Sequence, residues 1–138
     1  RLLDLGLERG LLAEVITAVL SQRLLRRLSP KARKPYKPDA ALLDRLGFPQ
    51  SERPAALYEA DPRADVPPFI GRFPVFELLE RTPEIQEAIH RGKPAGIRAA
   101  ATGIEDLRAA SLRCLCRGEA VAEDVLALTP PPASSTRQ

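Results

Sequence analysis

A chain of 138 residues, 44% hydrophobic and 28% charged, is long enough to bury one core or two small ones, since about two thirds of an unfolded chain's surface is covered at this size. Aromatics make up only 4% and Trp is absent, so the interior must be built from Leu, Ala, Val and Ile, which suits helices better than a sandwich. The expectation is a mainly α protein with a small β component, an α+β fold. No apolar run approaches the roughly 20 residues that cross a bilayer, and no signal-peptide pattern opens the chain. Two cysteines spaced as Cys114-Leu115-Cys116 make no disulfide framework, which points to a reducing, cytoplasmic compartment where any membrane association needs a partner. The net charge of +3 is unevenly placed: between Val15 and Pro38 there are seven Lys or Arg and no acid.

The opening residues, Arg1-Leu-Leu-Asp-Leu-Gly6, carry neither a cap nor an initiator Met and read as the continuation of an upstream segment. Apolar residues at 11, 12, 15, 16, 19 and 20 have the spacing of one helical stripe, expected to face the core. Leu24, Leu25 and Leu28 fit either a continued helix or a strand. Pro30, Pro35 and Pro38 then forbid regular helix. Asp39 is placed to cap a short helix over 40–46, with Leu42, Leu43 and Leu46 inward and Gly47 closing it.

From Pro49 to Pro83 there are seven prolines, with Tyr58, Phe69, Phe73 and Phe76 among them, which predicts a stiff irregular excursion. Residues 69–79 alternate enough for a short strand, and Pro74 confines it to an edge or bulge. Thr82, Pro83 and Glu84 form a helix start that Gly92 ends after Ile85, Ala88 and Ile89. Gly103 and Gly118 are expected to close two further helices, the second carrying Leu107, Leu112 and Leu115. A last helix holds Val121, Val125, Leu126 and Leu128, so the final third is expected to be a small helical bundle. Residues 129–138, with three consecutive prolines, read as a disordered tail.

Gln22-Arg23-Leu24, followed by Arg26-Arg27-Leu28-Ser29-Pro30 and Lys34-Pro35-Tyr36, resembles the segment that closes the motor core of type II secretion and type IV pilus assembly ATPases. That segment reads Gln-Arg-Leu-x-Arg-x-Leu-Cys-Pro-x-Cys-x-x-Pro-Tyr. Gly71-Arg72 with Val75-Phe76-Glu77-Leu78-Leu79, and then Ala99 to Gly103 through Leu107, Gly118 and Val125-Leu126, resemble the family's later motifs in the same order. The resemblance implies that Arg23 to Leu28 is an edge strand of a RecA-like sheet. It divides the chain into a motor-core end (1–38), a zinc-subdomain-like insertion (39–81), a helical bundle (82–128) and the tail (129–138). Gln22, Arg23, Arg27, Gly71, Arg72 and Glu77 are its family-pattern contact positions.

For the whole protein the resemblance implies ATP hydrolysis with Mg²⁺ in a ring-shaped homo-oligomer, a hexamer, that drives pilus or pseudopilus assembly with an inner-membrane platform protein. This stretch would lie on the cytoplasmic side, either free or peripheral to that membrane. A pilus-retraction motor typically lacks the insertion between Pro38 and Gly71, so its presence speaks for export or assembly. Reading the residues without the resemblance leaves a non-enzymatic helical adaptor as the competing class.

The chain departs from the family in its chemistry. All four zinc-ligand positions fall on Ser29, Ala32, Asp61 and Ala64, and a tetrahedral structural zinc needs four thiolate or imidazole donors, so no zinc is expected. A structural zinc contributes about 10 to 16 kcal/mol in small finger peptides, whereas a well-placed proline adds about 0.4 to 1 kcal/mol. The excursion is therefore expected to lean on neighbouring helices or to be looser. No Gly-x-x-x-x-Gly-Lys-(Ser/Thr) loop and no acid-ended apolar strand occurs, so this stretch holds no ATP site of its own.

The basic run Arg23, Arg26, Arg27, Lys31, Arg33, Lys34 and Lys37 could meet nucleic acid or anionic lipid, but with little aromatic interleaving a solvated face or the acidic groups of a neighbouring subunit suits it better. His90, in the last turn of its helix, suits the helix dipole. A Ser-His-Asp site would have to recruit His90, the single histidine, and no nucleophile elbow surrounds Ser21, Ser51 or Ser111, which speaks against one. Arg72 beside Gly71 can clamp a carboxylate of a partner, or pair internally with Glu77 or Glu80.

Overall fold

The structure is a computed structural model that describes residues 2–128; the tail expected over 129–138 lies outside the described residues. Among the described residues there are six α-helices, α1 (Arg9–Val15), α2 (Ala40–Leu46), α3 (Pro83–Arg91), α4 (Pro94–Ala100), α5 (Leu107–Cys116) and α6 (Ala122–Leu128). Four strands, β1 (Ala18–Leu28), β2 (Arg33–Tyr36), β3 (Leu57–Ala60) and β4 (Phe69–Glu80), form two two-stranded sheets, β1 with β4 and β2 with β3. The fold is α+β, with a larger β share than the composition suggests.

The helical stripe expected from Leu11 to Leu20 is corrected by the structure: the helix stops at Val15 and the chain becomes a strand at Ala18. Two causes are visible. Val15, Ile16, Thr17 and Val19 are β-branched, which restricts χ1 on a helix. Arg81 also donates to the carbonyls of Ala13, at 3.5 Å, and Glu14, at 2.8 Å, while its backbone N–H bonds to Thr17 at 2.9 Å. The last carbonyls of α1 are thereby satisfied by a cation, and the next residues enter sheet pairing. Nor is the stripe a core: Leu12 is buried, but Leu11, Val15, Val19 and Leu20 are each about half exposed.

The local helix signals are realised at α2 and α3. Asp39 accepts from the Leu42 N–H at 2.7 Å and Gly47 closes α2 in the left-handed region at φ 79°. Thr82 accepts from the Ile85 N–H at 3.3 Å, Pro83 opens α3, and Gly92 closes it at φ 65°. The strand read over 69–79 is β4, and Pro74 is tolerated because a two-stranded sheet consists of edges. The four late helices fall into two pairs, α3 with α4 and α5 with α6.

The chain forms two compact units that interleave in sequence. The first holds the residues through Ser21 together with Glu77–Asp106, and so contains α1, α3 and α4. Leu12, Ala13, Ile85 and Ala88 are its buried residues. The second holds Gln22–Phe76 and the chain from Leu107. Its core gathers Leu25, Leu43, Leu46, Leu57, Phe73, Val75, Leu115 and Val125 from β1, α2, β3, β4, α5 and α6. Leu, Ala and Val dominate, as the composition requires.

Candidate functional site

The second unit contains the positions that the sequence singles out around β2 and β3. These strands pair antiparallel in the register Arg33↔Ala60, Lys34↔Glu59, Pro35↔Tyr58 and Tyr36↔Leu57. Immediately beyond the ladder, the Asp61 N–H donates to the Ala32 carbonyl at 2.8 Å. A tight turn lies at each side of that bond. The Ala32 N–H returns to the Ser29 carbonyl at 3.1 Å, and the Ala64 N–H to the Asp61 carbonyl at 3.2 Å. Ser29, Ala32, Asp61 and Ala64 are thus brought together by one chain of backbone hydrogen bonds. Ser29 and Ala32 are buried, and Asp61 and Ala64 are half-buried.

Four of the seven cations of the basic run find partners within the chain, which the sequence does not disclose. Arg26 grips Asp124 with both arms of its guanidinium, Nε to Oδ2 at 2.9 Å and Nη2 to Oδ1 at 2.6 Å, and lies 4.1 Å from the centre of the Phe69 ring. The carboxylate of Asp124 raises the Arg26 pKa further, so the guanidinium stays charged. Arg27 covers Phe73, and Arg33 covers Tyr58 while donating to the carbonyls of Arg117, at 3.2 Å, and Gly118, at 2.9 Å. Lys34 pairs across the ladder with Glu59 at 3.2 Å. Lys31 and Lys37 face solvent, and Arg23 donates to the neighbouring Gln22 carbonyl. Asp124, Tyr58 and Gly118 are the partners that sequence reasoning missed. The only signal was that seven cations with no acid among them need anions and rings from elsewhere in the chain.

Among the contact positions, Gln22 and Arg23 are exposed on β1, and Arg27 is half-buried. Gly71 sits in β4 at φ 85° with open space where a Cβ would stand. From Phe73 on, β4 alternates: Phe73 and Val75 enter the core, while Ile70, Arg72, Pro74 and Phe76 share the opposite, exposed face. Arg72 has no ion pair among the described residues, and Glu77, next to Phe76, is half-buried.

In the first unit, a cavity of about 280 Å³ is walled by aliphatic side chains such as Leu12, Ile16, Leu79 and Ile85 together with Arg9 and Arg81. Among the described residues, its lining has no carboxylate, hydroxyl or imidazole to move a proton. His90 is 3.6 Å from Glu14, which also accepts from Gln86 at 3.0 Å. Cys114 and Cys116 are free thiols. Burial, and for Cys114 the nearby Glu119 carboxylate, raise both pKa values, the opposite of what a reactive thiolate requires.

The family described as Type II/IV secretion system protein matches residues 1–127. The chain belongs to that family. It is 36% identical over 135 residues to the type IV pilus assembly ATPase PilB of Thermus thermophilus, a match covering 94% of this chain and 15% of that protein. It is 35% identical over 92 residues to the type II secretion system ATPase E of Vibrio cholerae, covering 65% of this chain and 18% of the relative. The type II secretion system protein E of Pseudomonas aeruginosa is 30% identical over 133 residues, 94% of this chain and 26% of that protein. The chain therefore spans about a quarter or less of the secretion-family relatives it matches. No helix among the described residues is long and apolar enough to cross a membrane.

Proposed function

We propose that this stretch is the C-terminal portion of a secretion or pilus-assembly ATPase, in which it makes contacts with the rest of the motor core, with neighbouring subunits of a ring or with a membrane-platform protein, and does not form the ATP site itself. Residues 1–38 are the end of a RecA-like core, 39–81 a zinc-subdomain-like insertion and 82–128 the helical end. The ATP site, its Mg²⁺ and the cytoplasmic face of the inner membrane belong to the whole protein.

The observation that supports this most is the distribution of exposed apolar surface. Leu20 and Leu24 stand 59% and 53% exposed on one face of β1, with the family-pattern Gln22 between them. Ile70 and Phe76, 52% and 45% exposed, flank Arg72 on β4. Apolar strand faces of this kind, each bearing a polar residue that can fix orientation, are what contact with further protein leaves on a separated piece. An Arg between apolar neighbours suits a carboxylate on the partner, since its fork binds bidentately and is weakly hydrated.

The test is Arg72→Glu and Phe76→Asp in the full-length protein, with ring assembly followed by sedimentation and ATP turnover measured in parallel. Each substitution is expected to lower assembly and turnover by about tenfold or more, the scale of a central interface contact, while Glu52→Ala, on a different exposed segment, changes neither. Unchanged assembly in both variants overturns the contact role.

A further inference from the structure

The fold family implies a structural zinc at Ser29, Ala32, Asp61 and Ala64, and the donor set does not fit one. Two of the four positions carry methyl groups, one a neutral hydroxyl and one a carboxylate, which cannot replace four soft donors around a tetrahedral cation. Yet the backbone is not slack there. The Ser29 hydroxyl accepts from the Lys31 N–H at 3.3 Å, and the Asp61 carboxylate accepts from the Arg63 N–H at 3.0 Å. In both turns, therefore, the side chain at the first ligand position takes the amide two residues on. The second ligand position of one turn is tied to the first of the other by the Asp61–Ala32 bond. A further bond, from the Ser29 N–H to the Pro68 carbonyl at 2.8 Å, anchors the first turn to the segment that leads into β4.

We propose that this paired turn is a metal-independent closure in which the Ser29 hydroxyl and the Asp61 carboxylate do locally what metal-bound side chains would do, and that the four corners keep a zinc-competent arrangement. Ala32, fully buried, fills the space at its corner with a methyl group. The β2–β3 register holds the two turns side by side through backbone hydrogen bonds, and the insertion is stabilised by Arg33 on Tyr58 and by the apolar core. Its stability is then indifferent to chelators and to oxidants that strip zinc–thiolate sites. This inference stands on the hydrogen bonds of the two turns, apart from the motor reading.

The experiment uses the 138-residue chain in a Cys114→Ser, Cys116→Ser background, so that no other thiol binds metal. After incubation with zinc and desalting, elemental analysis is expected to find well under one equivalent, and a chelator leaves the melting midpoint unchanged. One tightly held equivalent overturns the proposal. In the same background, Ser29→Cys, Ala32→Cys, Asp61→Cys and Ala64→Cys combined are expected to bind one cobalt(II) with the absorption of a tetrahedral tetrathiolate; absence of that spectrum in a folded variant overturns the retained geometry. Should the fourfold variant not fold, Asp61→Ala decides the matter by amide exchange. Arg63 is expected to exchange roughly fivefold faster, the effect of losing one ordinary hydrogen bond, and an unchanged rate counts against the proposal.

Discussion

Cys114 shows how an environment silences a residue that looks reactive on paper. Its neighbours Arg113 and Arg117 would favour the thiolate, but burial is the larger influence and Glu119 adds to it, so its pKa is raised. Cys116 is raised by burial alone. A raised thiol pKa favours the neutral form in the folded chain. The associated stability is present below the unfolded-state pKa and is lost as pH rises through the folded one, so alkaline conditions destabilise the protein. At neutral pH the half-buried Cys114 is expected to be alkylated by iodoacetamide more slowly than in urea, and more slowly than the exposed Cys116 in the folded chain, as followed by mass spectrometry of the two adducts. Equal rates in the two conditions contradict the burial account. The spacing alone shows that the pair is no disulfide framework; the protonation state depends on α5 packing and on Glu119, which the spacing does not contain.

At the scale of the element, Gly118 does two things where the sequence suggests one. Read along the chain it ends α5, and it does adopt φ 68° there. The tertiary structure adds a close approach: a Cβ at this position would stand 2.6 Å from Cδ2 of Tyr58 and 2.8 Å from Nη1 of Arg33. Gly103 has a similar φ of 77° with nothing near its Cβ position. Gly103→Ala is therefore expected to cost about 1 kcal/mol from the left-handed backbone alone, and Gly118→Ala about 2 to 3 kcal/mol because the Arg33–Tyr58 stack must also shift. Urea unfolding of the two variants reads the difference directly, and equal costs show that the stack yields freely. The caps of α2 and α3 were legible because Asp39 to Leu42 and Thr82 to Ile85 are contacts within one turn. The end of α1 was not legible, since it depends on Arg81, far along the chain.

For the whole molecule, the exposed leucines and valines of α1 and β1 are the property that matters in solution. Leu11, Val15, Val19, Leu20 and Leu24 are each about half exposed or more, more apolar surface than a water-facing segment of this length usually presents. The 138-residue chain is expected to bind an apolar fluorescent dye and to self-associate. Leu20→Glu with Leu24→Glu reduces both effects while leaving the unfolding free energy, read by urea titration, within about 0.5 kcal/mol of the parent, because neither side chain is in a core. A large loss of stability in that variant shows instead that the face is packed within the chain.

The amino-acid sequence by itself determined the family, the short capped helices and the edge strand with Pro74. Each of these is written in residues a few places apart or in a motif matched in place. What the tertiary structure decided was where distant segments meet: that residues 18–28 pair with 69–80 instead of extending a helix, that Arg26 finds Asp124, and that the turns at 29–32 and 61–64 share one hydrogen-bond chain. Leucine periodicity near 3.6 records only that a face can be buried. A strand's partner, by contrast, lies outside any local window, and its backbone hydrogen bonds override the weak preference of a seven-residue helix to continue.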